Sequence, residues 1–214
     1  MKHVQLAVGL VIMLLAQLVY AETASREPID QVVAIVNEEV IPESELDQTL
    51  QRINQQIAES HVSDAPPADV LRKQVLDQLI VKTLQLQIAK QAGVTIQDQE
   101  INDAVRRIAD QNHVSVTELY DHLHQDGMST AEYHHELREQ MMIQKLQQQE
   151  IASKISVTPQ EITEALKAAM KHTKSGDEPP SRQTIESALL QQKFEESLQQ
   201  WISKLRGQAY IKVM

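Results

Sequence analysis

The chain has 214 residues, of which 42% are hydrophobic, only 3% aromatic and five are glycine. So few aromatics leave the core to Leu, Ile, Val, Ala and Met, and so few glycines exclude a turn-rich all-β protein in favour of long helices. A net charge of −10, with basic residues scattered among acids, disfavours nucleic acid and anionic lipid as partners.

Lys2 and His3 precede a nearly continuous apolar run over residues 4–19, which ends in Val19-Tyr20-Ala21 before Glu22. A charged start, an apolar centre and a small-residue exit are the layout of a secretory signal peptide, here cleaved between Ala21 and Glu22. An uncleaved anchor is the competing reading, but the run is short for a membrane span and Gln5 and Gln17 interrupt it. Export without stable membrane insertion after cleavage is therefore expected, and losing Lys2 moves the charge to about −11. The absence of cysteine rules out disulfides, thiol nucleophiles and thiolate metal sites, so packing alone must stabilise the exported chain.

The β-branched run over 30–37 reads as a strand, Asn37-Glu38-Glu39 as a turn, and Val40-Ile41 as a short returning strand. Pro42-Glu43-Ser44-Glu45 opens a helix, with proline and acids where a first turn favours them. That helix is expected to run to about residue 58, ahead of a polar loop containing Pro66-Pro67. Over 68–92, Leu76, Ile80, Leu84 and Ile88 recur every four residues beside Val75 and Leu79, giving a helix with a broad apolar stripe that stops at Gly93. Residues 96–112 form another helix, with Ile101, Val105 and Ile108 on its inner face.

Three capping boxes mark three further starts: Ser115-x-x-Glu118, Ser129-x-x-Glu132 and Thr158-Pro159-x-Glu161. They open a short helix stopped by Gly127, a long one to about residue 153, and one that frays before Lys174. The polar, proline-containing stretch "HTKSGDEPPSRQTIES" follows. Leu190, Phe194, Leu198, Trp201 and Leu205 then make an amphipathic helix, ended by Gly207 and followed by a closing strand over 209–213. Isolated strand pairs are marginal in water, so the last strand is expected to pair with the first hairpin and fold the final helix back on the first ones. The predicted fold class is mainly α, a multi-helix domain with a small β-sheet formed by the N-terminal hairpin and the C-terminal strand.

No catalytic constellation survives inspection: there is no glycine-rich phosphate loop, no Gly-x-Ser-x-Gly elbow and no distinguishable carboxylate pair. His122, His124, His134 and His135 cluster near Asp121 and Asp126. None of these histidines is four residues from another, the spacing that shares one metal, so they read as solvated surface groups and no metal or other cofactor is expected. Met141, Met142 and Ile143 are consecutive and must face more than one way. Either both flanks are core, or one lines a groove where flexible methionine suits varied apolar partners. Leu119, Tyr120, Leu123, Met128 and Tyr133 could extend that groove, so Leu119, Tyr120, Leu123, Met128, Tyr133, Met141 and Met142 are the candidate peptide-binding residues. Trp201 continues the Phe194–Leu198 stripe and reads as core.

The segment "IDQVVAIVNEEVIPESELD" resembles the opening strand-turn-strand-helix of SurA-type periplasmic chaperones. The resemblance continues through "LRKQVLDQLIVKTLQLQIAKQAGVTIQDQEINDAVRRIADQN", "TELYDHLHQDGMSTAEYHHELREQMMIQKLQQQEI" and "VTPQEI", and resumes in "QQKFEESLQQWISKLRGQAYIKVM". It implies a periplasmic, ATP-independent holdase for unfolded outer-membrane proteins. It also implies a chaperone domain whose N-terminal part covers 22–156 after the signal peptide of 1–21, and whose helix and strand over 183–214 complete it. Relatives carry parvulin-type prolyl isomerase modules between these parts. Here residues 157–182 hold only a short helix and a polar linker, while such a module needs on the order of a hundred residues, so no enzyme activity is expected. A rival reading from a different class is an interaction or assembly subunit that docks on a partner, or forms a homodimer by exchanging the C-terminal helix.

Overall fold

The computed structural model describes residues 30–60, 65–172 and 180–214. The signal peptide and its cleavage point at Ala21 and Glu22 lie outside the described residues, as do parts of the two polar loops. Strands β1 (Val32–Val36) and β2 (Glu39–Pro42) form a hairpin. At its turn Asn37 takes φ 55, a left-handed conformation that asparagine tolerates better than most residues. The C-terminal strand β3 (Ile211–Val213) pairs antiparallel with β1, giving the order β2-β1-β3. The expected union of the two ends of the chain is what forms, with Val36 opposite both Glu39 and Ile211. β1 is central, and its Val33, Ala34 and Val36 are buried.

Helix α1 (Glu43–Glu59) starts directly after Pro42, with Glu43 and Glu45 in its first turn. Leu46 is fully buried, and Leu50, Ile53 and Ile57 continue its line at helical spacing against the same core. Helix α2 (Ala68–Gln91) is the axis of the domain: it touches α1, the sheet and two later helices. For that reason its burial is wider than the predicted stripe. Leu71, Val75, Leu79, Ile80, Leu84, Leu86 and Ala89 are buried, while Leu76 and Ile88 are only half-buried.

Helices α3 (Asp98–Gln111), α4 (Val116–Gln125) and α5 (Thr130–Glu150) pack around Ile96, Ile101, Ala104, Val105 and Leu137. The capping boxes at Ser115 and Ser129 form as spaced, with each N-cap hydroxyl accepting from the N–H of Glu118 or Glu132 at 3.2 Å. The third forms too, since Glu161 accepts from the Thr158 N–H at 2.8 Å. A fourth box was not anticipated: Glu100 accepts from the Gln97 N–H at 2.8 Å, and glutamine is not an obvious cap residue. The far end of α5 places Leu146 on Ala89 and Val94, against Trp201 of the last helix.

A 3₁₀ turn (Ala152–Lys154) leads to α6 (Pro159–His172), which packs against α7 (Arg182–Gln208). Helix α7 begins within the polar stretch, one residue before the expected 183, where the Ser181 hydroxyl caps it by accepting from the Thr184 N–H at 3.1 Å. One detail differs from the sequence reading: α7 runs through Gly207, which has no positive φ, and Ala209 turns extended and leads directly into β3. Leu205, Ala209 and Ile211 then pack on the β1–α1–α2 core, which brings the end of α7 back to the first helices. None of the 27 residues of α7 is fully buried.

Candidate functional site

The structure packs five of the seven predicted groove residues against one core. Leu119, Tyr120, Tyr133, Met141 and Met142 are all half-buried against the α3–α4–α5 core. Met142 also reaches the Ala89–Val94–Leu146 cluster, so it ties two cores together. Leu123 and Met128 are half-buried as well, but stand apart from that cluster. Ile143 faces a third direction, toward α7, as three consecutive helical residues must. Trp201 packs on the Ala89–Val94–Leu146 core, as its stripe implied.

The aromatic part of this surface is polar at its tips. The Tyr120 hydroxyl lies 2.8 Å from His134 Nε2, and the Tyr133 ring tilts against the same imidazole with centroids 6.4 Å apart. Burial pushes both phenols above their ordinary pKa; for Tyr133 the neighbouring Tyr120 adds to the shift. Both stay neutral and can donate. His134 is therefore a half-buried partner and not a solvated group, whereas His122, His124 and His135 are exposed. Among the described residues no three His, Asp or Glu side chains are placed to hold a metal ion.

Of the predicted residues, Met128 lines an open cleft of 670 Å³ that runs between α1 and the α4–α5 turn. The Arg52–Glu136 ion pair, 2.5 Å long, bridges its walls. In the same cleft Glu132 is held below its ordinary carboxylate pKa by its bonds to the Ser129 hydroxyl and backbone.

A second cleft of 590 Å³ lies between α2, α5 and α7, lined by the apolar Val81, Ile143 and Ile202. Asp77 and Arg206 pair at its edge at 2.9 Å, and Lys82 beside it pairs with Glu139 at 2.6 Å. Its buried Gln85 accepts from Gln147 at 2.7 Å, so the one buried polar side chain among the described residues is satisfied. A third, of 370 Å³, is an apolar trough where Ala152 and Ile155 meet Leu190 and Phe194. Val81, Ile202 and Ile155 were not among the predicted site residues; their exposure depends on where α7 lands, which no local spacing reveals.

Nothing in these clefts activates a nucleophile or sets two carboxylates against each other. The apolar floors of the second and third clefts can take apolar side chains, while the first is walled by amides and charged groups.

A helical domain built on one axial helix and closed by a three-stranded sheet from both chain ends is the SurA-like chaperone fold. It matches a solved chain from the work describing the virulence factor PEB4 and the periplasmic protein Cj1289 of Campylobacter jejuni as two structurally related SurA-like chaperones. The TM-score is 0.54 at 14% identity, over 86% of this chain and 99% of that one. The family model of the SurA N-terminal domain matches residues 29–147, and the chain belongs to that family.

Its relatives include proteins named Chaperone SurA. That of Chromohalobacter salexigens is 38% identical over 140 residues, covering 65% of this chain and 32% of the relative. That of Pseudomonas syringae pv. syringae is 37% identical over 155 residues, 72% of this chain and 36% of the relative. For Legionella pneumophila strain Lens the figures are 37% over 162 residues, 76% and 37%. The chain thus spans about a third of the length of the curated relatives it matches.

Proposed function

We propose that this protein is an ATP-independent holdase of the bacterial periplasm that binds unfolded outer-membrane protein precursors and assists their assembly. The observation that carries the reading is membership of the SurA N-terminal domain family, with relatives named Chaperone SurA. The open clefts support it physically: each can take side chains of an unfolded segment but none encloses a ligand. Affinity drawn from shallow apolar floors and amide rims is modest, and weak contacts release quickly without nucleotide. The signal peptide read from residues 1–21 supports the periplasmic location. Residues 157–182 are too few for a parvulin module of on the order of a hundred residues, so we read no isomerase activity.

The test is light scattering of a urea-denatured outer-membrane barrel diluted into buffer with the protein spanning residues 22–214. Equimolar protein is expected to suppress the scattering; unchanged aggregation at several-fold excess sinks the reading.

One observation favours a second reading. A 27-residue helix with no fully buried residue, α7, could exchange between two copies. In that case light scattering after size exclusion finds a concentration-dependent dimer, and dilution to monomer abolishes client binding.

A further inference from the structure

We infer that the 670 Å³ cleft between α1 and α5 is a charge-reading subsite for a short extended peptide segment bearing a lysine or arginine. The inference rests on the holdase reading only for the source of that peptide.

Helix α1 buries Leu46, packs the half-buried Leu50, Ile53 and Ile57 on the same core, and turns the opposite face to the cleft. That face presents Gln48, Gln51, Arg52 and Gln55, at i, i+3, i+4 and i+7, so all four share one wall. Seven helical steps span about 10 Å, the length of about three residues of extended chain. Side-chain amides carry both donors and an acceptor, which is what an extended backbone needs on each residue. The amides of Gln48 and Gln51 make no hydrogen bond within the described residues.

The opposite wall carries the charge. Asp126, Glu132 and Glu136 stand against the single cation Arg52, a net of −2 with His135 neutral. Glu136 is already engaged by Arg52 across the cleft. Asp126, and Glu132 through the oxygen that the Ser129 N–H does not hold, are left to attract a cation from outside, beside the apolar patch of Met128 and Ala131 that can cover its methylene stem. In the neighbouring cleft of α2, α5 and α7 the charges are already paired, Arg206 with Asp77 and Lys82 with Glu139, so no acidic excess is left there for a cation. A second copy of this chain, itself at −10, is a poor occupant of the negative one.

The experiment uses two short, end-blocked synthetic peptides identical but for a central Lys or Glu, titrated into isotopically labelled protein spanning residues 22–214. The Lys peptide is expected to shift the amides of Gln51, Met128 and Ala131 and to bind about tenfold tighter than the Glu peptide at low salt, an advantage lost at high salt. Asp126→Asn with Glu132→Gln should make the two peptides equal; glutamine at 132 preserves the capping box. Ala131→Phe, at an exposed position, should abolish the Lys-peptide shifts while the unfolding midpoint stays unchanged.

Equal affinities in the wild type, shifts confined to α7, or indifference to both variants overturns the inference. A protein that fails to suppress barrel aggregation yet prefers the Lys peptide in this cleft overturns the holdase reading and leaves the subsite standing. Suppression without any charge preference does the reverse.

Discussion

Asn37 and Tyr210, 173 positions apart, hold each other by reciprocal hydrogen bonds. The Asn37 N–H donates to the Tyr210 carbonyl at 2.7 Å, and the Tyr210 N–H donates back to Asn37 Oδ1 at 2.9 Å. The same side chain donates through Nδ2 to Gln87 of α2 at 2.7 Å, and Gln87 in turn donates to the Val36 carbonyl at 3.0 Å. One asparagine at a hairpin turn therefore latches both chain ends onto the axial helix.

Asn37→Ala removes two side-chain hydrogen bonds and leaves a Cβ-bearing residue at φ 55 without the local polar compensation asparagine has. It should lower stability by about 1–2 kcal/mol. Asn37→Gly relieves the backbone but loses the latch, so it should fall between wild type and the alanine variant. Urea unfolding followed by circular dichroism gives the ranking; an alanine variant as stable as wild type would show that the latch contributes nothing.

Leu146 is fully buried between Ala89 and Val94, with the only tryptophan, Trp201, packed beside it. Leu146→Ala should cost about 2–5 kcal/mol, the range for a buried leucine whose cavity does not collapse. Since the void opens next to Trp201, the indole emission should change in the native state, before any unfolding. Phe194→Ala, at a half-buried position, should cost less and leave that emission near its wild-type value.

Features set by local chemistry were the legible ones. Ser115, Ser129 and Thr158 each stand three residues before a glutamate, and each begins a helix because that pairing satisfies backbone groups within four residues. The β3–β1 pairing was legible for another reason: neither strand has a stable alternative alone. The first turn of α7, Arg182-Gln183-Thr184, is polar and exposed, so the resemblance and not an apolar stripe marked its start. Gly207 misled because glycine stops a helix only where a positive φ is needed.

The site was the least legible part. Met141 and Met142 could be placed on different flanks from Ile143, but which flank meets a core depends on where α3 and α7 arrive. The glutamine face of α1 reads as plain solvent exposure, and becomes a cleft wall only because α5 stands opposite.

His113 occupies the place after α3 that Gly93 and Gly127 occupy after α2 and α4. All three have positive φ, and the helix ends share one pattern: Val94 donates to Ala89, Val114 to Ala109 and Met128 to Leu123, at 2.8–3.0 Å. A histidine there bears a steric cost that glycine does not. His113→Gly should therefore raise stability by about 0.5–1 kcal/mol, the backbone gain being partly offset by glycine's freedom when unfolded. An unchanged or lower urea midpoint would mean that the imidazole compensates for the strain.

Glu161 links α6 to α7 through an exposed ion pair with Lys193. Its carboxylate is held down to about 2 from an ordinary 4.5, chiefly by the Lys193 ammonium at 2.7 Å and then by the Thr158 N–H and hydroxyl. Lys193 also donates to the Ser156 carbonyl at 2.7 Å, so one ammonium fastens α7 to the start of α6. A carboxylate whose folded pKa is depressed contributes above the unfolded value and loses that contribution as pH falls through the folded one. The docking of α6 should thus be at full strength above about pH 4.5 and weaken progressively down to about pH 2. Because the pair is exposed, salt should reduce the effect. Hydrogen exchange of α6 amides, corrected for the intrinsic pH dependence, should show protection falling across this window in the wild type. Glu161→Gln, which keeps a capping partner for Thr158 but not the charge, should already show the weaker protection at pH 6 and little further change on acidification. Equal acid sensitivity in both proteins would place the titrating group elsewhere.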